Sequence, residues 1–178
     1  MHRRRLPFIA SVALLGALAC KPAFTEPAIP MVGEPGTFRL ERLNPSGPVL
    51  AGTATIAPAD EVVGFARFFL QAGAEEIVLL PNLFGPPSVV APAAGVHRLS
   101  AFGGERGWSL AYRIIRSGAD DIFAFSVGGS FNITELDASV MRGTIDATFG
   151  VVTESGVQTF RLRGSFWATA TPAIAAGM

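Results

Sequence analysis

The sequence predicts an all-β body, a single antiparallel β-sandwich or flattened β-barrel that follows an N-terminal signal peptide. Three observations carry that expectation. Short runs rich in β-branched and aromatic residues recur between residues 37 and 169, each bounded by Gly, Pro, Asn or Asp. Several alternate apolar and polar residues with a period of two, the pattern of a strand with one face in a core and the other in water. Helical periodicity is confined to one ambiguous stretch, 60–73.

The chain opens with His2-Arg3-Arg4-Arg5, continues with an apolar run from Leu6 to Ala19, and reaches its only cysteine at Cys20. A basic segment, a short apolar segment and small residues before a cut site describe a secretory signal peptide. The apolar run is about fourteen residues, roughly 21 Å as a helix, which falls short of a ~30 Å hydrocarbon core. Gly16-Ala17-Leu18-Ala19-Cys20 resembles the bacterial lipobox, in which a signal peptidase cuts before a diacylated cysteine; Ala17 stands where that motif usually has Leu. The alternatives are an ordinary signal peptide with a nearby free Cys and an uncleaved anchor. Acylation of Cys20 would account for a mature chain with no second cysteine, although exported proteins live where disulfides persist. Lipoproteins with Asp after the cysteine tend to stay at the inner membrane, so Lys21 favours the outer membrane in a cell that has two.

Removal of residues 1–19 leaves 159 of the 178 residues, enough for one domain and too few for two ordinary ones. Arg3, Arg4 and Arg5 leave with the signal, so 14 basic residues become 11 against 14 acidic, a formal net of about −3. No basic patch interleaved with aromatics is present, which makes nucleic acid an unexpected partner. Residues 20–36 hold the acylated Cys and a linker with Pro22, Pro27, Pro30, Pro35, Gly33 and Gly36, semi-rigid chemistry that holds a domain off a membrane. The all-β domain spans 37–171, and 172–178 is a frayed tail.

Strands are expected at 37–43, 49–56, 77–80, 96–100, 108–116, 122–127, 130–136, 142–149 and 157–169, in an antiparallel meander. In 143–149, Ile145, Ala147 and Phe149 alternate with Thr144, Asp146 and Thr148. In the last run Phe160, Leu162, Phe166 and Ala168 share one face, with Arg161, Arg163 and Thr169 on the other. Trp167 shares the polar face and is either exposed or covered by a neighbouring segment. The stretch 60–73 fits an amphipathic helix with Asp60 at the N-cap and Gly73 beyond its end, but Val62, Val63, Phe65, Phe68 and Phe69 are indifferent helix formers and Gly64 weakens its interior. Strand 65–71, turning through Ala72-Gly73-Ala74-Glu75 into 77–80 as a hairpin, is the preferred reading.

Gly129-Ser130-Phe131, Gly143-Thr144-Ile145 and Gly164-Ser165-Phe166 form a weak internal echo, in which Gly permits a bend or close backbone approach and the residue two positions later fills the core. This C-terminal third resembles a family of small bacterial lipoproteins of unknown function. Their Gly-x-aromatic-x-Ile-Thr strand, Asp turn, Gly-Thr-x-x-x-x-Phe strand and closing Gly-Ser-Phe strand correspond here to Gly129 to Thr134, Asp137, Gly143 to Phe149 and Gly164 to Phe166. Gly95-Val96-His97-Arg98-Leu99 matches an upstream Gly-aromatic-x-Leu strand loosely, and Val96 and Ile145 stand where aromatics are commoner. The resemblance implies an antiparallel sandwich or flattened barrel and no catalytic residue.

Candidate chemistry is sparse. His97 is the only histidine after signal removal, so a zinc site of His and Cys is not expected, and any nucleophile triad must use it. Gly107-Trp108-Ser109-Leu110-Ala111 approaches a nucleophile elbow but lacks the second glycine and the strand-to-helix context. Asp120-Asp121, Glu75-Glu76 and Asp60-Glu61 could pair as glycosidase carboxylates, though acids beside Gly or Ala at turns are ordinarily solvated. None forms an alternating oxygen-ligand loop for calcium. Asn132-Ile133-Thr134 matches a glycosylation acceptor by letter.

Fourteen Phe, two Trp and one Tyr supply a generous core. Trp108, Leu110, Tyr112 and Ile114 share a strand face, which reads as core before ligand platform. The Pro-rich stretch 81–92 reads as protection of a sheet edge, or as a flap if a cavity lies beneath. The expectation is a non-enzymatic binding or structural module of the cell envelope, anchored by acylated Cys20, without cofactor or metal. The alternative is a carrier of a small apolar or sugar ligand in a barrel cavity lined by Trp108, Tyr112 and neighbouring Phe. An exposed apolar patch around Trp167 would point to a protein partner.

Overall fold

A computed structural model describes residues 28–57, 67–81, 93–100 and 108–171. Its strands are β1 (Thr37–Leu43), β2 (Leu50–Ala57), β3 (Arg67–Ala72), β4 (Glu75–Pro81), β5 (Gly95–Arg98), β6 (Trp108–Ile114), β7 (Ile122–Leu136), β8 (Val140–Thr153) and β9 (Gly156–Ala170). They pair in the order β7-β6-β4-β3-β2-β1-β9-β8, and β8 returns to β7, closing an eight-stranded barrel with β5 added on β7. Neighbours around the ring are antiparallel, and β2 also meets β9 in parallel at Thr55/Thr169 and Ile56/Ala170. Closure leaves a short chain without long open edges, which an open meander of this length would expose.

Strand β3 settles the ambiguous segment for residues 67–72, and a hairpin joins it to β4. Ala72 pairs with Glu75 across a turn of Gly73, at φ 60°, and Ala74. The remainder of that segment, 60–66, lies outside the described residues, as do 82–92 of the Pro-rich stretch and 101–107. One expectation is corrected: 122–127 and 130–136 are a single strand, because a register shift between Ser126 and Gly128 leaves Val127 as a bulge while Gly128 and Gly129 stay paired with Thr148 and Ala147, so the ladder does not end there. Beyond this bulge β7 leaves β6 and pairs with β5 through Ser130–Ile133. Ser126 covers the parting, its Oγ accepting from the Leu110 amide at 3.0 Å.

Alternation fixes what faces inward. Phe38 and Leu40, Ala54 and Ile56, Phe68 and Leu70, Ile77 and Leu79, Leu110 and Tyr112 are buried in turn, as are Ile145, Ala147 and Phe149 on β8. Along the axis lie two triangles of rings. Phe68, Phe131 and Phe166 pack with centroids 4.7–5.5 Å apart, and Tyr112, Phe149 and Phe160 with centroids 5.2–5.9 Å apart. Room for the rings comes from glycine on the same inward face. A Cβ at Gly164 would lie 2.0 Å from the Arg39 carbonyl oxygen, and one at Gly143 1.9 Å from that of Asn132 and 2.9 Å from Phe166. Charged side chains occupy the outer wall: Arg39, Glu41, Glu76, Arg113, Asp146, Arg161 and Arg163. Apolar inside and charged outside is the reverse of a barrel that spans a bilayer.

Candidate functional site

One end of the barrel carries loops 44–49, 73–74, 115–121 and 154–155; here it is called the mouth. Arg42 follows Phe38 and Leu40 in phase, and Glu75 precedes Ile77 and Leu79 in phase, so both turn inward where β1 ends and β4 begins. Arg42 Nη2 donates to Glu75 Oε2 at 3.1 Å and to the Tyr112 hydroxyl at 2.7 Å, and that hydroxyl donates to Glu75 Oε2. The guanidinium carbon stands 5.0 Å from the Phe160 ring centroid and 5.7 Å from that of Tyr112. Burial, and then the bond to Glu75, push the Tyr112 phenol well above its ordinary range, with Arg42 opposing. An ion pair roughly a quarter exposed thus rests on the lower ring triangle. Its chemistry is that of a closure: opposite charges neutralise each other, and the phenol stays a neutral donor.

The outer wall holds a second polar cluster. Asp146 accepts from Arg161 Nε and Nη2, each at 2.6 Å, and lies 3.5 Å from Arg163 Nε. Beside it the segment 28–36 is strapped along β9. Gly36 N donates to the Trp167 carbonyl at 2.7 Å, Val32 N donates to Ser165 Oγ at 2.8 Å, and Ser165 Oγ donates to the Pro30 carbonyl at 2.7 Å. Between strap and wall is a shallow cleft of about 80 Å³ bounded by Ile29, Pro30, Arg39, Glu41, Arg163 and Gly164. Small-molecule sites run to about 300 Å³ or more.

The residues singled out from sequence fall as follows. Cys20 and Asp60-Glu61 lie outside the described residues. Glu75 and Glu76 face opposite sides of β4, so they do not pair; Glu76 meets Arg113 at 3.3 Å on the outer wall. Glu75 is therefore not the solvated turn acid its neighbours suggest. Asp121 accepts the Arg116 amide at 3.2 Å and the Asp120 carbonyl accepts from Arg116 Nε at 2.8 Å, an ordinary loop arrangement. His97 Nε2 is 2.6 Å from the Ala93 carbonyl, with its ring edge-on to Trp108 at 6.0 Å. Among the described residues no group of three His, Cys, Asp or Glu side chains could hold a metal. Ser109 lies within β6 and its Oγ donates to the Ser100 carbonyl at 3.3 Å. Trp108 and Tyr112 are core residues, 8% and 1% exposed. Trp167 is half-buried: the Arg142 guanidinium lies 4.4 Å from its ring centroid, and Arg142 Nη2 donates to the Val32 carbonyl at 3.3 Å. Asp137 caps the turn after β7, accepting from Ser139 N, Ser139 Oγ and Val140 N at 2.7–2.9 Å, which holds its carboxyl below the usual range.

The mouth cluster escaped sequence reasoning, though its signal was present. Arg42 and Glu75 each continue an inward apolar phase past its last apolar residue, and Tyr112 carries the hydroxyl that joins them. A second omission is an outward apolar strip near the mouth, formed by Phe123, Val127, Val152 and Val157. No protein-family model, curated protein or solved structure matches the chain.

Proposed function

We propose that this chain is a lipoprotein of the bacterial cell envelope, cut before Cys20 and acylated there, whose barrel is a non-enzymatic binding or structural module. The observation that carries the reading of the body is the filled axis. Rings packed with centroids 4.7–5.9 Å apart occupy the described interior, so contact with other molecules is left to the outer wall and the loops. A carrier would need open volume where these rings stand. His97 and Ser109 both spend polar atoms on backbone carbonyls, which agrees with a module that does no chemistry. The anchor itself rests on Arg3-Arg4-Arg5, the apolar run and Cys20, with Lys21 favouring the outer membrane over the inner in a cell that has two. Kinship with the small lipoproteins it resembles is part of the same proposal, since Gly143 and Gly164 of the shared pattern serve close backbone approach.

The test is expression in a bacterial host with a clickable fatty acid, followed by intact mass of the mature chain. The expected product begins at residue 20, carries the lipid label and sediments with membranes. Cys20→Ser should abolish the label and release the chain from the membrane fraction. An unlabelled wild-type chain with an intact N-terminus in the soluble extract would overturn the proposal.

A further inference from the structure

The strip near the mouth is the largest unexplained feature of the outer wall. Val152 is 83% exposed, Val157 65%, Phe123 51% and Val127 45%. The three valines are contiguous, with Phe123 four residues before Val127 on β7: Val152 pairs with Val157 at the tip of the β8–β9 hairpin, and a Cβ at Gly150 would lie 3.1 Å from Val127 Cγ1 and 3.4 Å from Val157 Cγ1. Elsewhere the same face of β8 and β9 is charged, with Asp146, Arg161 and Arg163. Apolar side chains clustered on an otherwise charged wall mark a contact surface.

The strap gives the direction from which the N-terminal segment approaches the wall. Traced back from Gly36, the chain passes Trp167, then Ser165, and reaches the level of Glu41 and Arg163 at Ile29. It therefore travels toward the start of β9, which is the hairpin tip, along a wall one or two strands from the strip. From Arg163 back to Gly156 is about 23 Å of strand. The eight steps of chain from Cys20 to Ala28 can span at most about 28 Å. A tether of that contour is long enough to seat Cys20 in the plane of the tip, in the direction in which the strap already runs.

We propose that this strip lies on the bilayer in which the acylated Cys20 is seated, so that the barrel rests mouth-down, tilted to bring only the mouth-proximal part of its β7–β8–β9 wall against the lipid surface. The inference rests on the anchoring proposed above and deepens it by assigning an orientation. The tilt is needed because Phe123 and Val127 lie on β7, back from the tip. This leaves exposed Glu154, at the turn, in the headgroup layer.

The experiment uses the full-length lipidated protein purified into phosphatidylcholine vesicles, with Val152→Cys in one variant and Ala138→Cys, in the exposed turn at the far end, in the other. Each is labelled with a thiol-reactive, polarity-sensitive dye. Because acylation turns the Cys20 sulfur into a thioether, one dye per chain is expected. Dye at 152 should emit to the blue and be quenched several-fold more by doxyl-labelled lipid than dye at 138. Equal, water-like emission from both sites at one dye per chain overturns the orientation and leaves the anchor standing. Blue-shifted emission at 152 that doxyl lipid does not quench places the strip against protein and also overturns it. Two dyes per chain removes the anchor, and the orientation with it.

Discussion

The two faces of the β8–β9 ladder run side by side for fourteen residue pairs and obey different rules. Inside, Phe149 and Phe166 alternate with Gly143, Ala147, Gly164 and Ala168, and every one is buried. Large rings are accommodated because their neighbours are minimal, so the face is a fitted set in which no size can change alone. Outside, Asp146 pairs with Arg161 and Arg163 at partly exposed positions, where each pair contributes little to stability. The inner face holds the barrel together, while the outer face decides what touches it. At the mouth the distinction fails locally, since Arg42 and Glu75 occupy inward positions.

The strongest way to break the comparison is to empty the inner face. Phe166 is fully buried, 4.7 Å from Phe68 and stacked on Phe131 at 5.2 Å. Phe166→Ala should destabilise the barrel by about 3–5 kcal/mol, because the cavity is bounded by a closed wall that cannot collapse freely. Urea unfolding followed by Trp fluorescence measures this. A loss no larger than that of an outer-wall substitution would mean that the faces are not energetically distinct.

A smaller effect sharpens the exception at the mouth. Tyr112 is the only tyrosine, so its phenolate absorbance reports one site. Its hydroxyl is held protonated in the folded state above the ordinary value of 10.0. Once pH exceeds that value the unfolded chain releases this proton and the folded chain keeps it. Stability is therefore fully present below about 10 and falls by roughly 1.4 kcal/mol per pH unit above it, until the folded phenol also ionises. Tyr112→Phe should flatten that slope in urea midpoints taken between about pH 9 and 11. An unchanged slope would show that the phenol gains nothing from its burial and its bond to Glu75.

Much of the fold was legible because a closed antiparallel barrel is a local object. Each strand reports itself by alternation, and 37–43 was read with its observed bounds. Gly128-Gly129 misled because glycine marks both strand ends and bulges, and only the partner strand β8, which continues past the pair, distinguishes them. Closure was not legible, since it depends on pairing between β7 and β8 and between β1 and β9, the latter far apart in sequence. The candidate site was less legible than the fold. Glu75 beside Glu76 reads as a turn pair until the phase set by Ile77 and Leu79 is carried back to it. The strip at the mouth was hidden in the same way, because Val127, Val152 and Val157 sit on three strands and become neighbours only when the ladder is built.

The smallest effect concerns the outer face alone, and it separates docking from folding. Ser165 is where the strap meets the wall: its hydroxyl donates to the Pro30 carbonyl at 2.7 Å and accepts from the Val32 amide at 2.8 Å. Ser165→Ala removes both bonds without altering the inner face, where neighbouring Phe166 and Gly164 keep their places. Global stability should fall by no more than about 1 kcal/mol, the usual net worth of such bonds. Hydrogen exchange at the Val32 amide should accelerate strongly while exchange in β9 stays slow, because Gly36 still holds the strap to the Trp167 carbonyl and Arg142 still reaches the Val32 carbonyl. If Val32 remained as protected as in the wild type, Ser165 would not be what fixes the path of the strap. If β9 exchanged faster as well, strap and barrel would form one cooperative unit, and the division between a fitted interior and an adjustable exterior would not hold at this position.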